Sequence, residues 1–139
     1  MSVTVEQALV AVLLADSGLA ALVDEKVYPL VIPAGVDLPA VGYRLASTEF
    51  KYDMDGQAPP EIATVSFYAW ADDYAEASTL GQALRTALKN QKGSVAVGEE
   101  SGTLVCFLAG YADEVERIEP EGGFRYAKRL DVEAVWKPD

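Results

Sequence analysis

The feature that most constrains the fold is an alternation of apolar and polar side chains over residues 124–136. One set of positions is apolar and comprises Phe124, Tyr126, Leu130, Val132, Ala134 and Trp136. The opposite set is charged and comprises Arg125, Arg129, Asp131 and Glu133. Successive side chains of a β-strand point to opposite faces, so this period predicts a strand with one buried face. Such a strand is typical of an antiparallel sheet that is solvated on one side.

Four further segments are typical of strands. Val41, Tyr43 and Leu45 alternate with other residues in a strand that runs towards Tyr52. A second strand is predicted at residues 62–70, and the intervening residues 53–60 predict a loop at the tip of a long hairpin. The remaining predicted strands are a short one at residues 95–97 and a long one at residues 103–118, with a turn at residues 119–123.

Two segments predict the main helices. Thr4-Val5-Glu6-Gln7 has the pattern of a capping box, and apolar residues follow it at helical spacing. Asp16-Ser17-Gly18 interrupts that helix, and residues 19–23 predict a further short turn or helix. Asp72 and Asp73 are N-cap candidates for the second main helix, in which Ala77, Leu80, Gly81, Leu84 and Leu88 share one face.

Together these segments predict an α+β fold, with an antiparallel sheet of about four to five strands and two main helices packed on one face. The chain has 139 residues and is 50% hydrophobic, so we expect a single domain over residues 1–139. The apolar run at residues 8–15 is too short to cross a bilayer and lacks a basic leader, so we expect no membrane partner and synthesis in the cytoplasm. The lone cysteine, Cys106, is predicted to be a small buried residue.

The chain contains no histidine, which removes the side chain that most often transfers protons and a common zinc ligand. Motifs for a nucleophile elbow or a phosphate-binding loop are also missing from the sequence. We therefore expect no enzymatic activity, no catalytic residues, no metal and no cofactor. Asp72 and Asp73 are explained by helix capping. One alternative function of a different class stays open: the chain could be a small carboxylate-dependent enzyme or metal-binding domain built around Asp53, Asp55 and Glu61.

The charge balance is acidic, with 22 acidic and 11 basic residues and a formal net charge of −11. Tight, sequence-independent binding to nucleic-acid phosphates is electrostatically unfavourable for such a chain. An acidic channel wall would nevertheless let DNA pass without holding it. The sequence therefore excludes DNA as a bound ligand, but not DNA as a passing one.

The order of these motifs resembles the siphophage tail terminators, which are also called tail completion or tail-to-head joining proteins. The resemblance extends over almost the whole chain. In the N-terminal half it rests on the first helix with Asp16, Leu19, Leu22 and Val23, and on Val27-Tyr28-Pro29, Ile32-Pro33 and Leu38-Pro39 before Val41-x-Tyr43. In the middle of the chain it rests on Asp55-Gly56 before a strand, and on Val65-Ser66-Phe67-Tyr68 before Asp73-Tyr74-Ala75-Glu76-Ala77. It also rests on Leu84-Arg85-Thr86-Ala87-Leu88 and on the final strand.

The resemblance implies a structural virion protein that forms a hexameric ring on the head-proximal end of the tail tube. Such a ring ends tube polymerisation and offers a joining surface to head completion or neck proteins, while DNA passes through it. The resemblance implies no catalytic residues and places the protein in the tail or neck of the particle. Alternatives in the same class are another neck component, or the tail cap of a gene transfer agent or a defective prophage.

Two sets of residues are the candidate functional positions. The predicted tip loop, with Met54, Asp55, Pro59 and Pro60, is an interface candidate, because exposed apolar side chains beside rigid prolines cost little entropy to order. The second set consists of carboxylates that could line the channel, Glu114, Glu116, Glu119 and Glu121.

Overall fold

A computed structural model of the chain describes residues 3–54, 56–117 and 123–139, without the side chains of residues 51–53 and 56–59. The elements in chain order are α1 (Val5–Ala15), α2 (Ser17–Val23), β1 (Val27–Pro29), β2 (Ala40–Asp53), β3 (Gly56–Ala71), α3 (Tyr74–Leu88), β4 (Lys92–Val97), β5 (Glu100–Arg117) and β6 (Phe124–Pro138).

The described strands form one curled, mixed sheet in the order β1-β2-β3-β6-β5-β4. β1 runs parallel to β2, and the other neighbours are antiparallel. The predicted α+β class is confirmed, but a wholly antiparallel sheet of four to five strands is wrong. The additional strand is β1, whose three residues are too few to show an alternating pattern in the sequence.

The described residues form three helices; the two main ones were predicted, and α2 is the short turn or helix predicted at residues 19–23. The capping box at α1 is confirmed, because the Thr4 hydroxyl accepts from the Gln7 amide and the Gln7 side chain accepts from the Thr4 amide. Asp16 ends α1 and begins α2, since its carboxylate accepts a hydrogen bond of 2.8 Å from the Leu19 amide. Asp73 caps α3 in the same way, with a bond of 2.7 Å from the Glu76 amide. The interruption at residues 16–18 is therefore a boundary between two helices.

The core lies between the helices and one face of the sheet. In β6 the predicted apolar face is confirmed from Leu130 to Trp136, where the alternate side chains are buried. Phe124 is exposed instead. Ala71, the last residue of β3 in the pairing, lies opposite Tyr126, so Phe124 has no neighbour on β3. The largest fully buried side chains are Trp136, Phe67, Leu9, Leu13, Leu19, Leu80, Leu84, Leu88, Leu104 and Leu130.

The hairpin of β2 and β3 differs from the prediction of a loop at residues 53–60. Only residues 54 and 55 lie between Asp53 and Gly56, which pair with each other, so β3 starts six residues earlier than expected. Pro59 and Pro60 belong to the strand. The proline pair suggests a loop in the sequence because proline cannot donate to a sheet ladder.

A register shift in β5 exchanges the two faces of that strand. Leu108 pairs with Val132 and Gly110 pairs with Asp131, so Ala109 is an extra residue. Before Ala109, Leu104 and Cys106 are buried against the core; after it, Tyr111 and Asp113 take the helix-bearing side of the sheet. Glu114 and Glu116 consequently lie on the opposite side, which we call the outer face.

Among the described residues, no single helix has the length and apolar composition needed to cross a membrane. α1 and α2 meet that criterion only as a pair, across a bend of 85°.

Candidate functional site

The β2–β3 hairpin extends past the part of β3 that pairs with β6. β6 pairs with β3 only from Glu61 to Ala71, whereas Gly56, Gln57 and Ala58 pair with β2 alone. Five residues of extended chain measure about 17 Å at about 3.4 Å per residue. An isolated two-stranded ribbon is marginally stable in water, so a projecting one is expected to gain stability by packing on another surface. We call the hairpin segment 50–60 the arm.

The arm carries exposed apolar side chains. Met54 at its tip is fully exposed, and Phe50 is 48% exposed. Glu49 pairs with Ile62 and Lys51 with Ala58, so Phe50 lies at an irregularity opposite residues 59–61. Proline lacks the amide hydrogen that a regular ladder requires, which explains why the irregularity occurs there. Of the predicted interface residues, Pro59 lies in β3 and Pro60 is half-buried, whereas Asp55 lies outside the described residues.

The outer face of β5 and β6 carries paired charges. The Arg129 guanidinium lies 2.6 Å from the Glu114 carboxylate, and the Arg125 Nε lies 3.9 Å from the Glu116 carboxylate. Next to them, the Ser66 hydroxyl donates to Asp131 at 2.7 Å. The predicted channel residues Glu114 and Glu116 thus face cationic partners across the strands. Glu119 and Glu121 lie outside the described residues.

A lysine occupies the otherwise apolar, helix-bearing face of β6, beside the N-terminal half of α3. The Lys128 ammonium forms an ion pair with Asp113, donates to the Tyr74 hydroxyl at 2.7 Å, and lies 4.3 Å from the centre of the Tyr74 ring. Helix α3 contacts this group through Gly81, where an added Cβ would come within 2.8 Å of the Lys128 Cβ. The group therefore connects α3 to β5 and β6.

The ion pair between Asp113 and Lys128 shifts both groups towards their charged forms. The hydrogen bond from Lys128 lowers the pKa of Asp113 below its ordinary 3.8. The hydrogen bond to Asp113, followed by that to Tyr74, raises the pKa of Lys128 above its ordinary 10.5. The stabilisation that comes from the lowered carboxyl pKa is fully present above pH 3.8 and is lost as the pH falls through the pKa of the folded state. The stabilisation that comes from the raised lysine pKa is fully present below pH 10.5 and is lost as the pH rises through the pKa of the folded state.

Asp113→Asn is therefore expected to lower the free energy of unfolding at neutral pH, and the difference from the wild type should shrink below pH 3.8. The effect should be small, because the Asp113 side chain is 59% exposed and water screens its charge. Urea unfolding at a series of pH values from about 3 to 7 measures it. Glu99→Gln, an exposed carboxylate in the turn between β4 and β5, is the control. A difference that stays constant down to the lowest pH would contradict the expectation.

Of the three carboxylates of the metal-binding alternative, the structure describes only the side chain of Glu61. Glu61 lies beside Trp136 in the sheet register, and burial, followed by the charge of Glu6, raises its pKa. The side chain of Asp53 and the whole of Asp55 are outside the description. Within the described ranges, no group of three or more histidine, cysteine, aspartate or glutamate residues is placed to hold a metal ion.

Sequence reasoning missed the partners of these residues. It noted Arg125 and Arg129 as a polar face, but not that they pair with Glu116 and Glu114. It did not consider Lys128. The apolar run Leu30-Val31-Ile32 between Pro29 and Pro33 is visible in the sequence, and the structure shows that its first two side chains are 73% and 74% exposed.

Comparisons with known proteins agree with this architecture. A family model described as "Tail completion protein gp17" matches residues 7–125. A chain in the solved structure "Virion of native gene transfer agent (GTA) particle" is similar in fold, with a TM-score of 0.61 and 23% identity. The similarity covers 98% of this chain and 100% of that one. No match is found among curated proteins.

Proposed function

Because the chain belongs to the tail completion protein gp17 family, we propose that it closes the head-proximal end of a phage tail tube as a ring. The family consists of structural tail proteins and not enzymes, and the protein is a structural component of a virion tail. The ring ends tube polymerisation and presents the surface to which the head is joined. Its partners are other copies of itself, the tail-tube protein, and head completion or neck proteins.

The observation that carries this proposal is the arm. It extends about 17 Å past the last β6 partner and carries Phe50 and Met54 in solvent, so it contributes little to its own core. An isolated two-stranded ribbon is marginally stable in water, and packing against a neighbouring subunit would stabilise it. We propose that Met54, Asp55, Pro59 and Pro60 contact another virion protein through this arm.

We further propose that the ring is a hexamer of single-domain subunits with an open channel for DNA. Glu114 and Glu116 are the proposed channel residues within the described part of the chain, together with Glu119 and Glu121 in sequence. Because Arg129 and Arg125 offset the first two, the local wall there is close to neutral. The net charge of −11 disfavours retention of DNA by the ring as a whole.

A polymerisation assay tests the capping role. Purified protein added to growing tail tubes is expected to bind one end and stop elongation, so that the final tube length falls as the protein is added earlier. Electron microscopy should show a six-fold ring with an open channel at that end. Protein bound along the tube wall, or tubes that keep growing with the protein attached, would contradict the proposal.

The fold likeness to a chain of a gene transfer agent particle favours one alternative in the same class. The protein would then cap the tail of such a particle or of a defective prophage, with the same contacts. Particles that transfer host DNA and label with an antibody at the head–tail junction would identify this case.

A further inference from the structure

Helix α1 is apolar on all sides, although only one side of it packs on its own sheet. Its sequence, VEQALVAVLLA, contains only Glu6 and Gln7 as polar residues. A helix that is apolar all round is normally buried all round. Here Leu9 and Leu13 are fully buried, but Ala15 is exposed and Ala11 and Val12 are only half-buried. The uncovered side of α1 therefore lacks a partner within the described part of the chain.

The uncovered side of α1 forms one wall of a groove of about 410 Å³. α3 and the edge strand β4 form the other walls, and no described strand pairs with the free side of β4. The lining combines small apolar residues with three polar ones; it comprises Ala11, Val12, Ala15, Asp16, Ala87, Gln91, Ser94, Val95 and Ala96. A cavity of about 150 Å³ holds a benzene ring, so an open groove of this larger volume has space for two aliphatic side chains.

Two aliphatic side chains of matching character are exposed elsewhere on the same subunit. Leu30 and Val31 follow β1, at the opposite edge of the sheet from β4, and they are 73% and 74% exposed. They lie on the outer face beside Trp70 and Arg125, whereas the groove opens on the helix-bearing side. No residue between Tyr28 and Val36 is charged.

The backbone holds the Leu30–Val31 pair in place before any contact forms. The Leu30 amide donates to the Tyr43 carbonyl and the Val31 amide to the Pro29 carbonyl, each at 2.7 Å. Leu30 has a φ of +63°, a conformation that is uncommon for a residue with a branched side chain. Pro29 and Pro33 restrict the chain on both sides. A preorganised apolar segment loses little entropy on binding.

We propose that Leu30 and Val31 of one copy of this chain fill the α1–α3–β4 groove of the next copy. The inference rests on the proposed ring and specifies its contact. A ring closed by rotation needs two different, complementary patches on each subunit, and this chain carries such a pair at opposite edges and faces of its sheet. A second copy is the occupant because every copy supplies both halves of the contact.

Two variants with separate defects test the contact. Val31→Asp places a charge on the inserted segment, and Ala15→Glu places a charge of the same sign in the groove. Each is expected to weaken subunit association by about 100-fold or more, because an unpaired charge would lie against the alanine and valine side chains of the contact. Both positions are exposed in the subunit, so folding should be retained. Val115→Asp, at a 61% exposed position elsewhere, is the matched control and should still assemble.

Mixing the two variants gives the most specific test of the contact. Val31→Asp keeps an intact groove and Ala15→Glu an intact segment, so an equimolar mixture should form a one-to-one dimer. That dimer cannot grow, because its remaining segment and groove carry charges of the same sign. Analytical ultracentrifugation measures this species. Mixed single-cysteine variants Val31→Cys and Ala15→Cys should also cross-link, whereas Val31→Cys with Val115→Cys should not. The native Cys106 should not interfere, because burial raises the pKa of its thiol to about 12.

The outcomes separate this contact from the proposed function. Rings formed by Val31→Asp at wild-type concentration would overturn the contact and leave the ring intact. A wild-type protein that never forms rings, while the cysteine pair cross-links, would overturn the ring and leave the contact. Failure of both the cross-link and the mixed dimer would overturn the contact whatever the wild type does.

Discussion

Replacing Trp136 with alanine is expected to lower the free energy of unfolding by about 3–5 kcal/mol, the range for removing a large aromatic side chain from a core. Trp136 is 1% exposed and is the largest fully buried side chain. Its indole Nε1 donates to the Val3 carbonyl at 3.2 Å, so β6 is linked to the segment before α1. Its ring also occupies the space above Gly102, where a Cβ would come within 2.6 Å of it. One substitution therefore disturbs the N-terminal segment, β5 and β6 together.

Urea unfolding with linear extrapolation measures this loss. Trp70 on the outer face remains as a fluorescent probe in the variant. Trp136→Phe should cost less, because it keeps much of the apolar volume, and Trp70→Ala should cost less, because Trp70 is only half-buried. A loss below about 1 kcal/mol for Trp136→Ala would show that the indole does not contribute to the core as the packing indicates.

Removing the arm is expected to abolish tail completion while the rest of the protein still folds. Replacing residues 50–61 with Asn-Gly connects Glu49 to Ile62, which already pair, through a two-residue turn suited to antiparallel strands. The arm is bound to the remaining sheet mainly through β2 and β3 themselves, and Met54 and Phe50 bury little within the subunit. The loss should therefore fall on contacts with other virion proteins.

Complementation of a phage that lacks its own copy measures the effect, with the number of infectious particles as the readout. We expect a decrease of several orders of magnitude, with heads and tails that accumulate unjoined. Phe50→Ser combined with Met54→Ser keeps the length of the arm and removes its exposed apolar groups. This double variant therefore distinguishes the contribution of the apolar side chains from that of the length of the hairpin. A truncated protein that unfolds cooperatively and still yields normal particle numbers would show that the arm carries no essential contact.

Local patterns in the sequence predicted most of the helices and the buried side of the last strand. The capping box at Thr4 and the cap at Asp73 were predicted because each involves residues only three positions apart. Asp16 was predicted only to interrupt the first helix, although its capping bond to Leu19 has the same spacing. The apolar set from Leu130 to Trp136 predicted the buried face, because a strand's period is visible within one segment. The family resemblance, too, could be read from the order of such motifs.

The strand register was decided only by the tertiary structure. Ala109 adds one residue to β5, and a shift of one residue exchanges the two faces of a strand. That shift places Glu114 near Arg129 and Asp113 against Lys128, although all four residues were visible in the sequence. Pro59 and Pro60 likewise suggested a loop, since their tolerance in β3 depends on the irregularity opposite Phe50.

The candidate contact surfaces show the same division between local and distant information. Residue type and position in a predicted element identified Met54 in the tip loop and carboxylates such as Glu114 as candidates. The groove beside α1 is formed by three elements far apart in sequence, and the segment that matches it lies at the opposite edge of the sheet. Neighbouring residues determine caps and strand periods, whereas pairing between distant strands determines which side chains meet, and one sequence pattern is compatible with several such pairings.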